Sequence, residues 1–166
     1  ERKSDEPMTA IPTIGVSKYL KISEGNLVQT NNNATDQANV SGNVLNLSSR
    51  GLTKIPSYVF SQSNLIELNV SHNQLTGAIQ AEISHLNSLK ILNTSYNSMT
   101  GVPAEIGQLQ KLEVLDLSYN QLTGLPYELG NLKNLKTLNL SGNQYSKQDL
   151  DYIRGKLPSG VNIIVD

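Results

Sequence analysis

The chain has 166 residues, of which 24 are Leu, 19 Asn and 18 Ser; it has no Cys, no Trp and one Phe beside seven Tyr. Its formal charge is −1 with a pI near 6.2, and no apolar run approaches the roughly 18–20 residues of a membrane span. These numbers exclude a disulfide framework, a thiolate metal site and a basic footprint for nucleic acid or anionic lipid. So few aromatics cannot fill a thick core, and the excess of Leu points to repetition of one small unit instead.

Residues 1–15 are charged and Pro-containing, and the composition predicts a disordered tail. Residues 16–41 read as an irregular N-terminal cap and polar linker. Within them YLKIS and LVQT flank Glu24-Gly25-Asn26, a pattern for a small hairpin or one irregular capping strand. The run TNNNATDQANVSG has no periodicity and reads as a loop. The chain opens on Glu1 and not on Met, which leads us to expect an upstream signal or anchor that has been removed.

From residue 42 to 145 the chain repeats itself. The copies opening at Leu65, Leu89, Leu112 and Leu135 begin LIELNVSHNQLTG, LKILNTSYNSMTG, LEVLDLSYNQLTG and LKTLNLSGNQYSK. GNVLNLSSRGLTKIP, opening at Gly42, is a degenerate first copy. The shared core is LxxLxLSxNxL, followed in three full copies by an apolar residue and an E-I or E-L turn. A period of 23 to 24 residues signals a solenoid, because one such unit cannot bury its apolar face alone.

This pattern resembles the leucine-rich repeat family over residues 42 to about 165. It looks most like small Cys-free bacterial repeat proteins, with the 23-residue intracellular Ras-suppressor-like repeats also similar. The LTGxIxxEI of the first full copy looks like the 24-residue plant type, although the Cys-containing flanks of extracellular plant and animal repeats are missing. The resemblance implies an α/β solenoid: a short right-handed superhelix of about five repeats with a parallel concave β-sheet and a C-terminal helix–strand cap. It also implies protein–protein interaction.

The residues carry the same picture. Leu-x-Leu is a period-2 strand whose leucines point inward. Asn73, Asn97, Asn120 and Asn143 fall where the chain leaves the strand. Their amides should bond the backbone of their own loop and of the next coil, as an internal ladder. Thr94, in place of an inward Leu or Val, should weaken packing. At the C-terminus, residues 146–166 form a cap. Ser146 and Asp149 make a capping-box-like start to an amphipathic helix, Pro158 and Gly160 stop it, and VNIIVD follows. Adding 23 to Leu138, Asn139 and Leu140 reaches Val161, Asn162 and Ile163, so a sixth strand is expected in that register.

Outward strand positions then form columns. Asn46, Asn69, Asn93, Asp116 and Asn139 make the central one, with Asn162 its sixth candidate. A Ser column runs beside it. The variable columns hold Glu67, Ile91 and Val114 on one side and His72, Tyr96 and Tyr119 on the other. Tyr supplies contact area with a hydroxyl, which enriches it at interfaces. The expected partner site is therefore Glu67, Asn69, His72, Ile91, Asn93, Tyr96, Val114, Asp116 and Tyr119, taking a protein or peptide. The alternatives are a structural or self-associating homodimeric element and a carbohydrate-binding module. Glu82, Glu105 and Glu128 form a convex acidic row read as a solvated face. His72 and His85 have no Cys or clustered carboxylate partners for a metal. No phosphate loop, H-E-x-x-H or G-x-S-x-G is present, and the Ser columns have no paired base, so neither catalysis nor a cofactor is expected. The N-x-S/T sequons in the strands arise from the repeat itself. The expected location is a bacterial exported or surface protein, with the cytoplasm as alternative.

Overall fold

The computed structural model describes residues 39–166, with side chains from residue 42, and the backbones of two short strands before them. The disordered tail expected for residues 1–15 lies outside the described residues. β1 (Leu20–Ser23) and β2 (Asn26–Gln29) pair antiparallel as a hairpin, Ser23 opposite Asn26. β3 (Asn39–Ser41) then pairs antiparallel with β4 (Val44–Asn46), so the end of the polar run expected to be loop is an edge strand.

From β4 onward each coil contributes one three-residue strand to a single sheet. β5 (Glu67–Asn69), β7 (Ile91–Asn93), β9 (Val114–Asp116) and β10 (Thr137–Asn139) stack parallel and in register, Leu45, Leu68, Leu92, Leu115 and Leu138 side by side. With β11 (Asn162–Ile164) the order is β11-β10-β9-β7-β5-β4-β3. Each strand buries its middle residue and leaves the flanking two half-exposed, as alternation on a one-sided sheet demands. All 22 leucines from Leu45 onward are buried, which places the core in a file of Leu rather than in any aromatic cluster. β6 (Thr76–Ala78) and β8 (Ser98–Gly101) make a small second parallel sheet with a bulge at Gly77/Ala78; the repeat pattern did not foretell it.

The opposite side carries four short 3₁₀ turns, Ser57–Ser61, Ala81–His85, Ala104–Gln108 and Tyr127–Asn131. At the fourth position of these turns the last two carry glycine, the second Ser84. A Cβ on Gly107 would lie 2.5 Å from the Glu128 carbonyl oxygen, and one on Gly130 2.5 Å from Lys156 Cβ. Glycine there lets adjacent turns approach backbone to backbone. The first coil places Phe60 at that position, and the first two turns meet less closely than later pairs. Between them opens a groove of about 500 Å³ whose lining includes Ile55 and Phe60 with Lys54, Gln80, Glu82 and His85. Gln80, where the other turns have Pro, donates its amide to the Ile55 carbonyl at 2.6 Å and so crosses this gap.

The asparagine side chains sit between coils. Asn120 Oδ1 accepts from Met99 N at 3.0 Å, and its Nδ2 donates to the carbonyls of Thr94, Leu117 and Ser118 at 3.0–3.2 Å. Asn73, Asn97 and Asn143 repeat the arrangement with Leu47, Val70 and Leu117 as their cross-coil acceptors. The partners across coils belong to the preceding coil, not the next as expected. The amide leaves the strand end toward the N-terminal neighbour, whose following N–H is otherwise unmatched. Thr94 is fully buried, and its hydroxyl donates to the Asp116 carbonyl at 3.3 Å, so its polar atom is not left unpaired.

α1 (Lys147–Lys156) replaces the fifth convex turn. Ser146 Oγ accepts from Gln148 N and Asp149 N, but the Asp149 carboxylate reaches to Leu125 N at 3.2 Å instead of closing a capping box. The last strand is parallel, yet its register is offset by 25 and not 23: Ile163 faces Leu138, Asn162 faces Thr137 and Ile164 faces Asn139. Asn162 therefore leaves the central column, and Ile164 ends it. The longer helical crossover delivers the strand two residues later. An even shift preserves which side chains point inward, and Ile163 packs against the core.

Candidate ligand-binding face

The concave columns divide into positions that are used up by the fold and positions that are not. Asn46, Asn69, Asn93, Asp116 and Asn139 each accept, through Oδ1, a hydrogen bond from the backbone N–H of the serine two residues on, at 2.9–3.2 Å. This Asx turn ends β4, β5, β7, β9 and β10. Ser48, Ser95 and Ser118 also donate their hydroxyls to the same oxygen at 2.6–2.7 Å. Ser71, Ser95, Ser118 and Ser141 are buried, so the expected outward serine column is an internal part of the turn.

The turn sends the following residue into the left-handed region: Ser49, His72, Tyr96 and Tyr119 have φ of 52–57°, and Gly142 has 69°. Four non-glycine residues in this conformation is unusual. It is held by a hydrogen bond from each N–H to the serine carbonyl of the next coil: Ser49 to Ser71, His72 to Ser95, Tyr96 to Ser118 and Tyr119 to Ser141. Gly142 is served by Asp166, where the others are served by a serine. Its N–H instead donates to the Asp166 carboxylate at 2.8 and 3.0 Å.

The shared conformation aligns the side chains. His72 and Tyr96 stack with ring centroids 4.4 Å apart and planes 8° apart; Tyr96 and Tyr119 stack at 4.5 Å and 16°. Tyr119 lies over Gly142, where a Cβ would meet the ring at 2.6 Å. The two tyrosines remain 46% and 48% exposed, but mainly by their edges, because the faces cover one another. Ile91 and Val114 are half-buried neighbours on the preceding strands, beside Glu67 of β5. Further out, Lys136 Nζ contacts Glu113 at 2.7 Å and, with the charge of Lys90, holds the Glu113 carboxyl below its ordinary value.

The sequence-derived residues thus lie on one face, as three adjoining columns. Gly142 and Asp166, which support the stack from the C-terminal end, were missed. A glycine at the repeat position that otherwise holds Ser49, His72, Tyr96 and Tyr119 was the available signal; the Asp166 contact depends on the shifted last strand. His85 sits in a convex turn, away from concave His72. Among the described residues no three His, Cys, Asp or Glu side chains converge as metal ligands, and no helix is long and apolar enough to cross a membrane. Glu82, Glu105 and Glu128 lie in the last three convex turns, one in each.

Comparison with known proteins agrees with this architecture. A leucine-rich repeat family model matches residues 43–99 and 89–144, and a second one matches residues 134–156. Among solved structures, a leucine-rich repeat protein of Leptospira interrogans is 34% identical over 72% of this chain, with a TM-score of 0.58; the chain spans 36% of that protein. The ectodomain of the Arabidopsis thaliana receptor kinase SOBIR1 is 28% identical over 86% of this chain and 80% of its own length, with a TM-score of 0.60. The ectodomain of the Arabidopsis thaliana receptor kinase GASSHO1/SCHENGEN3, in complex with Casparian strip integrity factor 2, is 30% identical over 68% of this chain and 14% of its own, with a TM-score of 0.54. No curated protein matches. The fold these structures share is generally a protein-binding scaffold and typically not an enzyme. With more than half of its length matched by the repeat model, and with five coils stacked on one Leu file, the chain belongs to the leucine-rich repeat family.

Proposed function

We propose that this chain is a non-enzymatic protein- or peptide-binding module that takes its ligand on the concave face, around Ile91, Asn93, Tyr96, Val114, Asp116 and Tyr119. The observation that carries the reading is the ring stack. Two tyrosines are held rigid and half-exposed by backbone geometry, stacking and Gly142, so little side-chain entropy is lost when a ligand covers them. Their hydroxyls take no hydrogen bond among the described residues and are available to a partner. Six parallel strands about 4.8 Å apart span about 24 Å, which suits a peptide or a standard interface of about 800 Å² per partner. The similar ectodomain held in complex with a partner factor is in keeping with such use.

The stack also weighs the alternatives. A sugar binds aromatic side chains by lying on a ring face, and here the faces of Tyr96 and Tyr119 are occupied by other rings and by Gly142. Carbohydrate binding is therefore the weaker reading. Self-association is favoured by β11, an edge strand beside exposed Ile164 and Val165. Placement outside the cell is in keeping with the plant receptor ectodomains that resemble the chain.

The test is selection of displayed random peptides on the purified chain, followed by affinity measurement. Binders should lose at least about tenfold in affinity on the Tyr96→Ala, Tyr119→Ala variant, as truncation of interface hot spots costs about 2 kcal/mol or more. Binders indifferent to both substitutions would place the site elsewhere. Sizing at several concentrations separates the second reading: a dimer that persists in the tyrosine variant and is lost in Ile164→Lys would favour it.

A further inference from the structure

Resting on the concave-face reading above, we infer that its ligand carries a basic side chain, whose charged head meets the Asp116 carboxylate while its methylene stem lies across Ile91 and Val114. The central column poses the question. Its members need only one oxygen to close the Asx turn, and Asn46, Asn69, Asn93 and Asn139 do so with an amide. Asp116 closes the same turn with Oδ1, accepting from Ser118 N at 3.0 Å and Ser118 Oγ at 2.6 Å. Its negative charge is therefore surplus to the fold.

The charge is also unanswered. Asp116 makes no ion pair among the described residues, and its second oxygen takes no hydrogen bond there. The lysines of this face do not serve it: Lys136 is engaged with Glu113 on the outer column. Asp116 stands half-buried between Val114 on its own strand and the Tyr119 ring just beyond it, with Ile91 on the neighbouring strand. Same-face neighbours along a strand are about 6.8 Å apart, a distance the stem of Lys or Arg covers while its head stays wet. A half-desolvated carboxylate with a free oxygen favours a charge-assisted hydrogen bond over contact with water alone. The hydroxyls of Tyr96 and Tyr119, on the same face, offer acceptors for other N–H groups of the ligand. A neutral or acidic ligand would leave that oxygen covered and unpaired.

Asp116→Asn supplies a clean probe, because asparagine closes this turn in four other coils, so the fold is preserved. Peptides selected on the wild-type chain, and dependent on Tyr96 and Tyr119, should be enriched in Arg or Lys. Their affinity should fall about tenfold on Asp116→Asn, the loss expected for one hydrogen bond to a charged group. The same loss should follow replacement of the basic residue in the peptide, and the two losses should not add. Tyrosine-dependent peptides without a basic residue, or with equal affinity for Asp116→Asn, would overturn the inference and leave the concave-face reading standing. Peptides that ignore Tyr96 and Tyr119, or no enrichment at all, would overturn both.

Discussion

Replacing Asn120 by Ala tests the physical basis of the coil stack. The side chain is buried and makes four hydrogen bonds. They are not equivalent. The Thr94 carbonyl also accepts from Asn97, the Leu117 carbonyl from Asn143, and the Ser118 carbonyl from Tyr96 N. The three acceptors therefore keep a partner in the variant, and each loses about 0.5–1 kcal/mol. The Met99 N–H, however, has Asn120 as its acceptor and lies in a strand residue that is 1% exposed. Left orphaned, it costs about 1–3 kcal/mol. The sum is about 2.5–6 kcal/mol, at or beyond the upper end for a single substitution. Urea denaturation with linear extrapolation measures it, provided the slope is unchanged. Asn120→Asp sharpens the test: it keeps an acceptor for Met99 N but turns an acceptor toward three carbonyls. It should be at least as destabilised as Asn120→Ala at neutral pH. Its carboxyl would have a raised folded pKa, so the deficit should shrink as pH falls through that value toward the unfolded one. A loss under about 1 kcal/mol for Asn120→Ala, or no pH dependence for Asn120→Asp, would refute the ladder as a source of stability.

Three further outcomes are expected. Gly107→Ala forces a Cβ against the Glu128 backbone at 2.5 Å and should lose about 1–2 kcal/mol after the Ala helix gain is subtracted, whereas Gly155→Ala in α1, where the Cβ meets open space, should gain up to about 0.5–1 kcal/mol; thermal melts showing the same sign for both would refute the close-approach account. Gly142→Ala should displace the Tyr119 ring and weaken selected ligands by several-fold, read by the change in His72 and tyrosine ring NMR shifts together with affinity. Lys136→Gln should let the Glu113 carboxyl return upward toward its ordinary value. Because the folded value is depressed, the contribution of this pair is present above the ordinary carboxylate range and is lost as pH falls through the lower folded value; carboxyl NMR titration of both chains checks the direction.

The periodic part of the molecule was legible because the repeat imposes one local solution many times. Leu at fixed spacing specifies an inward column, and Asn at the strand exit specifies a polar bridge, whatever surrounds them. The concave columns followed from the same arithmetic, which placed His72, Tyr96 and Tyr119 side by side. What escaped was set by backbone geometry beyond the pattern. Stacked rings rather than outward-pointing ones follow from four consecutive left-handed turns, and buried serines from the Asx turns beneath them. The role of Gly107 and Gly130 depends on the distance to the Glu128 backbone and the Lys156 side chain of the following coil. The expected 23-residue step into β11 failed because α1 is twice as long as the turn it replaces, and only the parity of the shift was constrained by burial.

That two-residue shift is also what joins the cap to the candidate site. In every other coil the left-handed turn is held by the serine carbonyl of the coil after it. Beside Gly142 no serine stands in that place, and a sixth strand at the expected register would put Asp166 two residues further along the sheet. With the observed register the chain reaches Gly142 with Asp166, whose carboxylate replaces the missing carbonyl. Gly142 then stays flat against Tyr119, and the Tyr119 ring in turn orients Tyr96 and His72. A carboxylate accepting from an N–H makes a charge-assisted hydrogen bond, which takes the place of the serine carbonyl at Gly142. The C-terminal helix and strand thus pack on the Leu file through Leu150, Ile153 and Ile163 and reach the ring stack through Asp166 and Gly142.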